Sequence, residues 1–266
     1  MKSILKITTK ILLFVFLTIV TQIGGIVYVL SMIISKKLKW KSKFKSISVF
    51  ITCYVITSLF LVPLIAPIFG REKVTHTDGI QPSNYLTTVL NRNYVTPELN
   101  DVLLKTEKAL KGSGIEISYL DANFPFINKF PLLPHLSHND GKKIDISLIY
   151  ETKNGVITSK QRSVSGYGVF ENPKSNEYNQ IHKCLESGYF QYDYPKYVSF
   201  GNINKELVFS EKGTKKLIQA ILRNKDLGKL FIEPHLKKRM NLTHYKIRYH
   251  GCRAVRHDDH IHIQLH

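Results

Sequence analysis

The heptapeptide His257-Asp258-Asp259-His260-Ile261-His262-Ile263 concentrates the side chains that bind transition metals and move protons. Side chains alternate across a strand, so His260 and His262 would project from one face while Ile261 and Ile263 project from the other, toward a core. That is how a strand presents two imidazoles to one ion. A strand with a polar outer face has the same spacing, so the H-x-H by itself leaves both readings open.

A second stretch of the right kind lies upstream, Ser137-His138-Asn139-Asp140-Gly141-Lys142-Lys143-Ile144-Asp145. A histidine and a carboxylate are separated by a glycine-containing turn, and the Asp enters the apolar run Ile144, Ile146, Leu148, Ile149. This predicts one ligand on a loop and one on a strand. With His262 they make a His, Asp, His set, the three protein ligands of a catalytic zinc site whose fourth position is left for water. There is no H-E-x-x-H, so a glutamate base is not indicated, and no C-x-x-C.

The elements that must position these residues follow a membrane-like beginning. Residues 1–70 hold nine Lys and no Arg, Asp or Glu, so nine of the formal +18 charges lie there and about nine remain on residues 71–266. The basic balance therefore indicates a membrane rather than nucleic acid, and the moderately basic remainder suits an anionic polymer such as a cell wall. Residues 11–34 are uncharged and residues 46–70 repeat the pattern, each long enough to cross about 30 Å of hydrocarbon. Two transmembrane helices are expected; a cleaved signal peptide is the alternative for the first, against which stand its long apolar run, the lack of an A-x-A-like site and a second span soon after, and whether it is cleaved is left open by the sequence.

Between them, residues 36–45 carry six lysines, which the positive-inside rule places in the cytoplasm, with Trp40 at the interface. Two spans would then put both the amino-terminal end and everything after Gly70 outside, although Lys2, Lys6 and Lys10 argue the other way. The expected organisation is a membrane anchor over 1–70, a tether over 71–95 and a zinc peptidase-like domain over 96–266.

Within that domain, Thr96-Pro97 predicts a helix start, with Leu99, Val102, Leu103 and Leu110 on one face and a stop at Gly112. Strands are expected over 115–120 and 144–150, the latter turning at Asn154-Gly155 into residues 156–159. Residues 124–134 read as a loop leading to His138, and 165–195 as an irregular aromatic stretch over a sheet or around a site. Ser210 predicts the cap of a helix through Arg223. A strand over 230–232, a short helix over 234–240 and a strand over 245–249 beside the last one complete the order. The fold class is α+β, a small antiparallel sheet with flanking helices, preceded by the two transmembrane helices. Cys53 falls in the second span, and whether Cys184 and Cys252 pair is left open by the sequence.

The pattern Ser-His-x-x-Gly-x-x-x-Asp followed by His-x-x-His-x-His resembles the zinc peptidase superfamily that contains lysostaphin, the D-Ala-D-Ala peptidases and the hedgehog signalling domain. Within it, residues 257–262 are most similar to the penicillin-insensitive murein endopeptidases. The likeness covers roughly residues 115–266 and rests on Ser137, His138, Gly141, Asp145, His257, His260 and His262, with Phe231-Ile232-Glu233-Pro234 a fainter echo. The resemblance implies a small antiparallel sheet, hydrolysis of peptide cross-links in peptidoglycan, zinc held by His138, Asp145 and His262, and catalytic roles for His260 and His257. The chain departs from those endopeptidases in lacking their cysteine-rich framework and secretion signal. It also lacks the Trp found before the H-x-H of other branches, near which Asp259 stands.

The chemistry agrees with the residue types. His260, two residues from a ligand on the same face, is placed to act as general base or to stabilise an oxyanion, and His257 to share that work. Asp258 or Asp259 is the candidate for orienting an imidazole. His135, Arg253 and Arg256 are candidate contacts for a substrate carboxylate. The alternatives are a D-Ala-D-Ala carboxypeptidase or dipeptidase, a zinc-binding interaction or signalling domain without hydrolysis, and a structural membrane protein whose outer domain binds a partner. The expected location is the cell membrane, with the catalytic domain facing the periplasm or exterior.

Overall fold

The computed structural model describes residues 2–39 and 41–266, so the expectation for Trp40 lies outside the described residues. The protein is a mixed α/β fold of helices and small sheets. It divides into two compact units. One comprises the chain as far as Val74 with Leu86–Pro97 and Asn123–Gly141, and the other comprises Thr75–Tyr85, Glu98–Ala122 and Lys142–His266.

In the first unit, α1 (Lys2–Thr21) and α2 (Gly24–Lys37) replace the single helix expected over 11–34. The break is at Gln22, whose φ of 66° interrupts the helical ladder. Thr21 Oγ1 accepts from the Gly24 N–H at 2.7 Å, which satisfies a donor at the start of α2. The chain continues through α3 (Lys45–Ile56), a π-helical turn (Thr57–Leu61), α4 (Val62–Ile65) and a 3₁₀ turn (Ala66–Phe69). Among the described residues, two stretches, Ser3–Thr21 and Lys45–Phe69, are long and apolar enough to cross a membrane.

Residues 71–95 are not the tether expected. β1 (Glu72–Lys73) pairs antiparallel with β3 (Tyr94–Val95), α5 spans Leu86–Val89, and β2 (Ile80–Pro82) enters the main sheet of the second unit. Val74, Ile80, Tyr94 and Val95 are buried. Elements this short show no periodicity, so Gly79, Pro82 and Asn91 resembled linker composition, while Gly79 and Asn91 make turns and Pro82 ends β2 inside a folded body. Ile23, Val27, Val62, Ala66 and Tyr94 form the unit's apolar core.

The second unit is built on a six-stranded sheet in the order β10-β9-β11-β5-β4-β2, where β4 is Ile117–Tyr119, β5 Lys143–Ser147, β9 Leu227–Phe231, β10 Ile247–Arg248 and β11 His260–Leu265. The central strands β9, β11, β5 and β4 run antiparallel, as expected, but both edges differ. β2 lies parallel to β4, and β10 lies parallel to β9 rather than beside β11. β9 takes the place next to β11 because it offers a longer apolar strand, with Leu227, Leu230 and Phe231 buried.

Ile144 and Ile146 of β5 pair with Ile263 and Ile261 of β11, and all four are fully buried. Removing each such side chain from water contributes about 1.5–3 kcal/mol. The apolar run after Asp145 does not stay in one strand. β6 (Tyr150–Glu151) leaves for a three-stranded sheet with β7 (Ile157–Thr158) and β8 (Val208–Phe209), turning at Gly155 with φ 76°.

Around the sheets lie α6 (Pro97–Leu110), α7 (Gln180–Glu186), α8 (Glu211–Leu222) and α9 (Pro234–Arg239). α6 buries Leu99, Val102, Leu103 and Leu110 as its spacing predicts, although the Thr96 hydroxyl makes no hydrogen bond as a cap. Ser210 does cap α8, its Oγ accepting from the Gly213 N–H at 3.2 Å. Residues 165–195, expected to be irregular, contain α7 and the start of a 3₁₀ segment, Phe190–Val198. Cys184 of α7 is disulfide-bonded to Cys252, with Cα atoms 5.2 Å apart, which ties α7 to the loop that leads into His257.

Candidate metal centre

β5 and β11 pair in a register that sets Asp145 opposite His262 and Ser147 opposite His260. With Ile144, Ile146, Ile261 and Ile263 committed to the core, the alternation forces Asp145, His260 and His262 onto the other face together. His262 Nδ1 lies 2.8 Å from Asp145 Oδ1, and His260 Nε2 lies 3.7 Å from the same oxygen.

His138, Asp145 and His262 are all buried, and each offers a ligand atom within 4.8 Å of the others. This group can hold a metal ion. Nitrogen, oxygen and nitrogen donors gathered in a buried place fit a divalent transition metal, since a carboxylate and two imidazoles match its charge and its ligand preferences. On the loop that carries His138, Gly141 has φ 79°, and a Cβ there would stand 2.4 Å from the Arg71 guanidinium. Gly141 N–H donates to Asn123 Oδ1 at 3.0 Å. The left-handed backbone conformation is what favours glycine at this position.

No protein-family model matches this chain. No curated protein matches it either.

His260 is oriented from behind. Its Nδ1 lies 2.5 Å from Asp259 Oδ1, and Asp259 Oδ2 accepts the Gly168 N–H at 2.6 Å. Burial works against the imidazolium, but Asp145 and Asp259 outweigh it and raise His260 to about 9. His257 has the opposite environment. Its ring is 4.8 Å from that of His260, 5.9 Å from His262 and 5.3 Å from His250. Burial first, and these neighbouring imidazoles next, push His257 well below its ordinary value. Two adjacent histidines are thus driven apart in basicity, one toward the charged acid and one toward the neutral base.

Of the two candidate orienting carboxylates, Asp259 serves His260. Asp258 instead takes Arg256, which reaches it through Nε at 2.7 Å and Nη2 at 2.5 Å, and lies 3.6 Å from His235. Arg256 is buried, also contacts Asp193 and Asn172, and covers the Phe170 ring. Its guanidinium is consumed in holding the 256–258 turn, so it is not the substrate contact expected. Arg253 is exposed, and His135 places its ring 5.5 Å from that of His138.

Three residues of the site were given no role by the sequence. Tyr167 donates its hydroxyl to Asp145 Oδ2 at 2.8 Å and sets its ring edge against His260 at 5.1 Å. Gly166 and Gly168 on either side, both at positive φ, were the available signal. Glu233 accepts the His257 N–H at 3.0 Å and the Tyr192 hydroxyl at 2.7 Å, so it fixes the backbone that presents His257. His250 lies over Phe231, ring centres 4.3 Å apart, and stacks 6.2 Å from His262.

Proposed function

We propose that the protein is a membrane-anchored zinc metallopeptidase that hydrolyses peptide bonds of peptidoglycan. The observation that carries this reading is the convergence of His138, Asp145 and His262 beside a histidine that Asp259 holds by its far nitrogen. The resemblance of residues 137–145 and 257–262 to the murein endopeptidases supplies the substrate class, and the antiparallel centre of the sheet agrees with it. The two long apolar helices support attachment to a membrane with the second unit outside the cytoplasm, where the Cys184–Cys252 disulfide is stable.

In this reading His138, Asp145 and His262 hold zinc. When bound, zinc supplies a water acidic enough to be hydroxide near neutral pH and polarises the scissile carbonyl. Tyr167 keeps one oxygen of Asp145 occupied and so fixes the carboxylate plane. His260, aligned by Asp259, is placed to donate a hydrogen bond to the developing oxyanion. His257, neutral at pH 7 and adjacent, accepts a proton and returns it to the leaving amine.

The test is metal content by elemental analysis together with digestion of purified peptidoglycan by the full chain. About one zinc per chain and released peptides with cut cross-links or termini are expected. Zinc without any digestion would leave a metal-holding interaction domain, and no zinc, even after its addition, would end the proposal.

A further inference from the structure

The break at Gln22 changes what the first helices can do in a membrane. α1 packs along α2, and α2 packs along α3. The links are short, residues 22–23 and 38–44, so successive helices run in opposite directions. Close approach at the first link depends on glycine. A Cβ on Gly25 would stand 2.7 Å from the Phe14 carbonyl oxygen and 2.0 Å from Thr18 Oγ1. At the second link, Ser35 and Ser46 meet with their hydroxyls 3.3 Å apart, and the rings of Tyr28 and Phe50 lie edge to face.

The three helices are apolar outside, and the face that α2 buries is mostly small or polar. The residues α2 buries are Gly24, Gly25, Val27, Ser31 and Ser35. Outward, Ile4, Leu12 and Phe16 of α1, Ile26 of α2 and Phe60 and Leu64 beyond α3 are each at least 60% exposed. Water would oppose this arrangement and hydrocarbon favours it. The Thr18 and Thr21 hydroxyls bond back to the Phe14 and Leu17 carbonyls, both at 2.8 Å, so neither is left without a partner.

Charge fixes the direction. Lys2, Lys6 and Lys10 lie in the first half of α1, and a hairpin of α1 and α2 returns the chain to the side where α1 begins at Lys36-Lys37 and the lysines through Lys45. We infer that α1, α2 and α3 with its extension cross the bilayer in turn, three passages rather than two, with both lysine clusters on the cytoplasmic face. The 14 residues of α2 span about 21 Å, less than the hydrocarbon thickness. The flanking lysines compensate by extending toward the headgroups, and the longer neighbours cover the rest. The amino-terminal end, which two spans would have placed outside, is thereby put where its charge belongs. The inference is independent of metal binding and of hydrolysis.

Cysteine accessibility in intact cells tests it. Cys53 is the free cysteine and the other two are bonded to each other, so Cys53→Ser provides a background for single cysteines in the full chain. Three are placed, Ser3→Cys at the start of α1, Ser42→Cys in the lysine loop and Asn154→Cys in the exposed β6–β7 turn. A membrane-impermeant maleimide should label Asn154→Cys in whole cells, and Ser3→Cys and Ser42→Cys only after permeabilisation. Labelling of Ser3→Cys together with Asn154→Cys would restore two spans and overturn the inference. So would a mature chain shortened by the length of α1, or labelling of all three positions in whole cells.

Discussion

Asp145 and His262 are direct cross-strand partners, one on β5 and one on β11, with Nδ1 of the imidazole 2.8 Å from Oδ1 of the carboxylate. The pair is held by backbone register rather than by loops, which makes it the rigid part of the proposed metal centre. Asp145→Ala and His262→Ala should each abolish stoichiometric zinc in elemental analysis, as should His138→Ala. Retained metal in any of the three would remove that residue from the ligand set. Removal of metal from the wild type by a chelator should lower the melting temperature, because only the folded chain gathers the three ligands.

His260→Ala separates chemistry from binding. The variant should keep its zinc and lose about 10²- to 10³-fold in hydrolysis of cross-linked muropeptides, the usual worth of an oxyanion-stabilising donor. His262→Ala should lose both metal and activity. Equal zinc loss in the two variants would show that both histidines hold the metal and that the roles are misassigned.

Tyr167→Phe deletes one hydroxyl and leaves the ring against His260. Since that hydroxyl holds Asp145 Oδ2, zinc affinity should fall about 10- to 100-fold, as for other groups that orient a ligand. Competition with a chromogenic chelator measures it. Unchanged affinity would mean that strand pairing alone orients the carboxylate.

Acid stability should respond at a place away from the site. Glu177 takes two hydrogen bonds from Arg239, at 2.9 and 2.6 Å, and this pairing lowers its carboxyl to about 2 from an ordinary 4.5. A carboxyl depressed in the folded state stabilises fully above its unfolded value and loses that contribution as pH falls through the folded one. The melting temperature of the wild type should therefore exceed that of Glu177→Gln at pH 7. The gap should close between about pH 4.5 and pH 2. A gap independent of pH would place its origin in packing.

Much of the site was legible because period two is a strong constraint. Once Ile261 and Ile263 were assigned to a core, His260 and His262 had to share the opposite face, and the same holds for Asp145 between Ile144 and Ile146. The cap at Ser210 and the apolar face of α6 were legible for the same reason, since helix starts and helical spacing are local properties.

What the sequence by itself determined, then, are the residues whose roles follow from near neighbours: the alternation that gathers Asp145, His260 and His262, the glycine turn at Gly141, and the basic, acid-free beginning of the chain. Tertiary structure alone decided which carboxylate serves which partner, sending Asp259 to His260 and Asp258 to Arg256, although the two are adjacent and identical in type. It also decided the arrival of Tyr167 at Asp145 and of Glu233 at His257, the parallel edges of the sheet, and the reversal at Gln22. These depend on contacts between segments tens of residues apart, or on one left-handed backbone angle, and neither leaves a periodic trace in the order of residues.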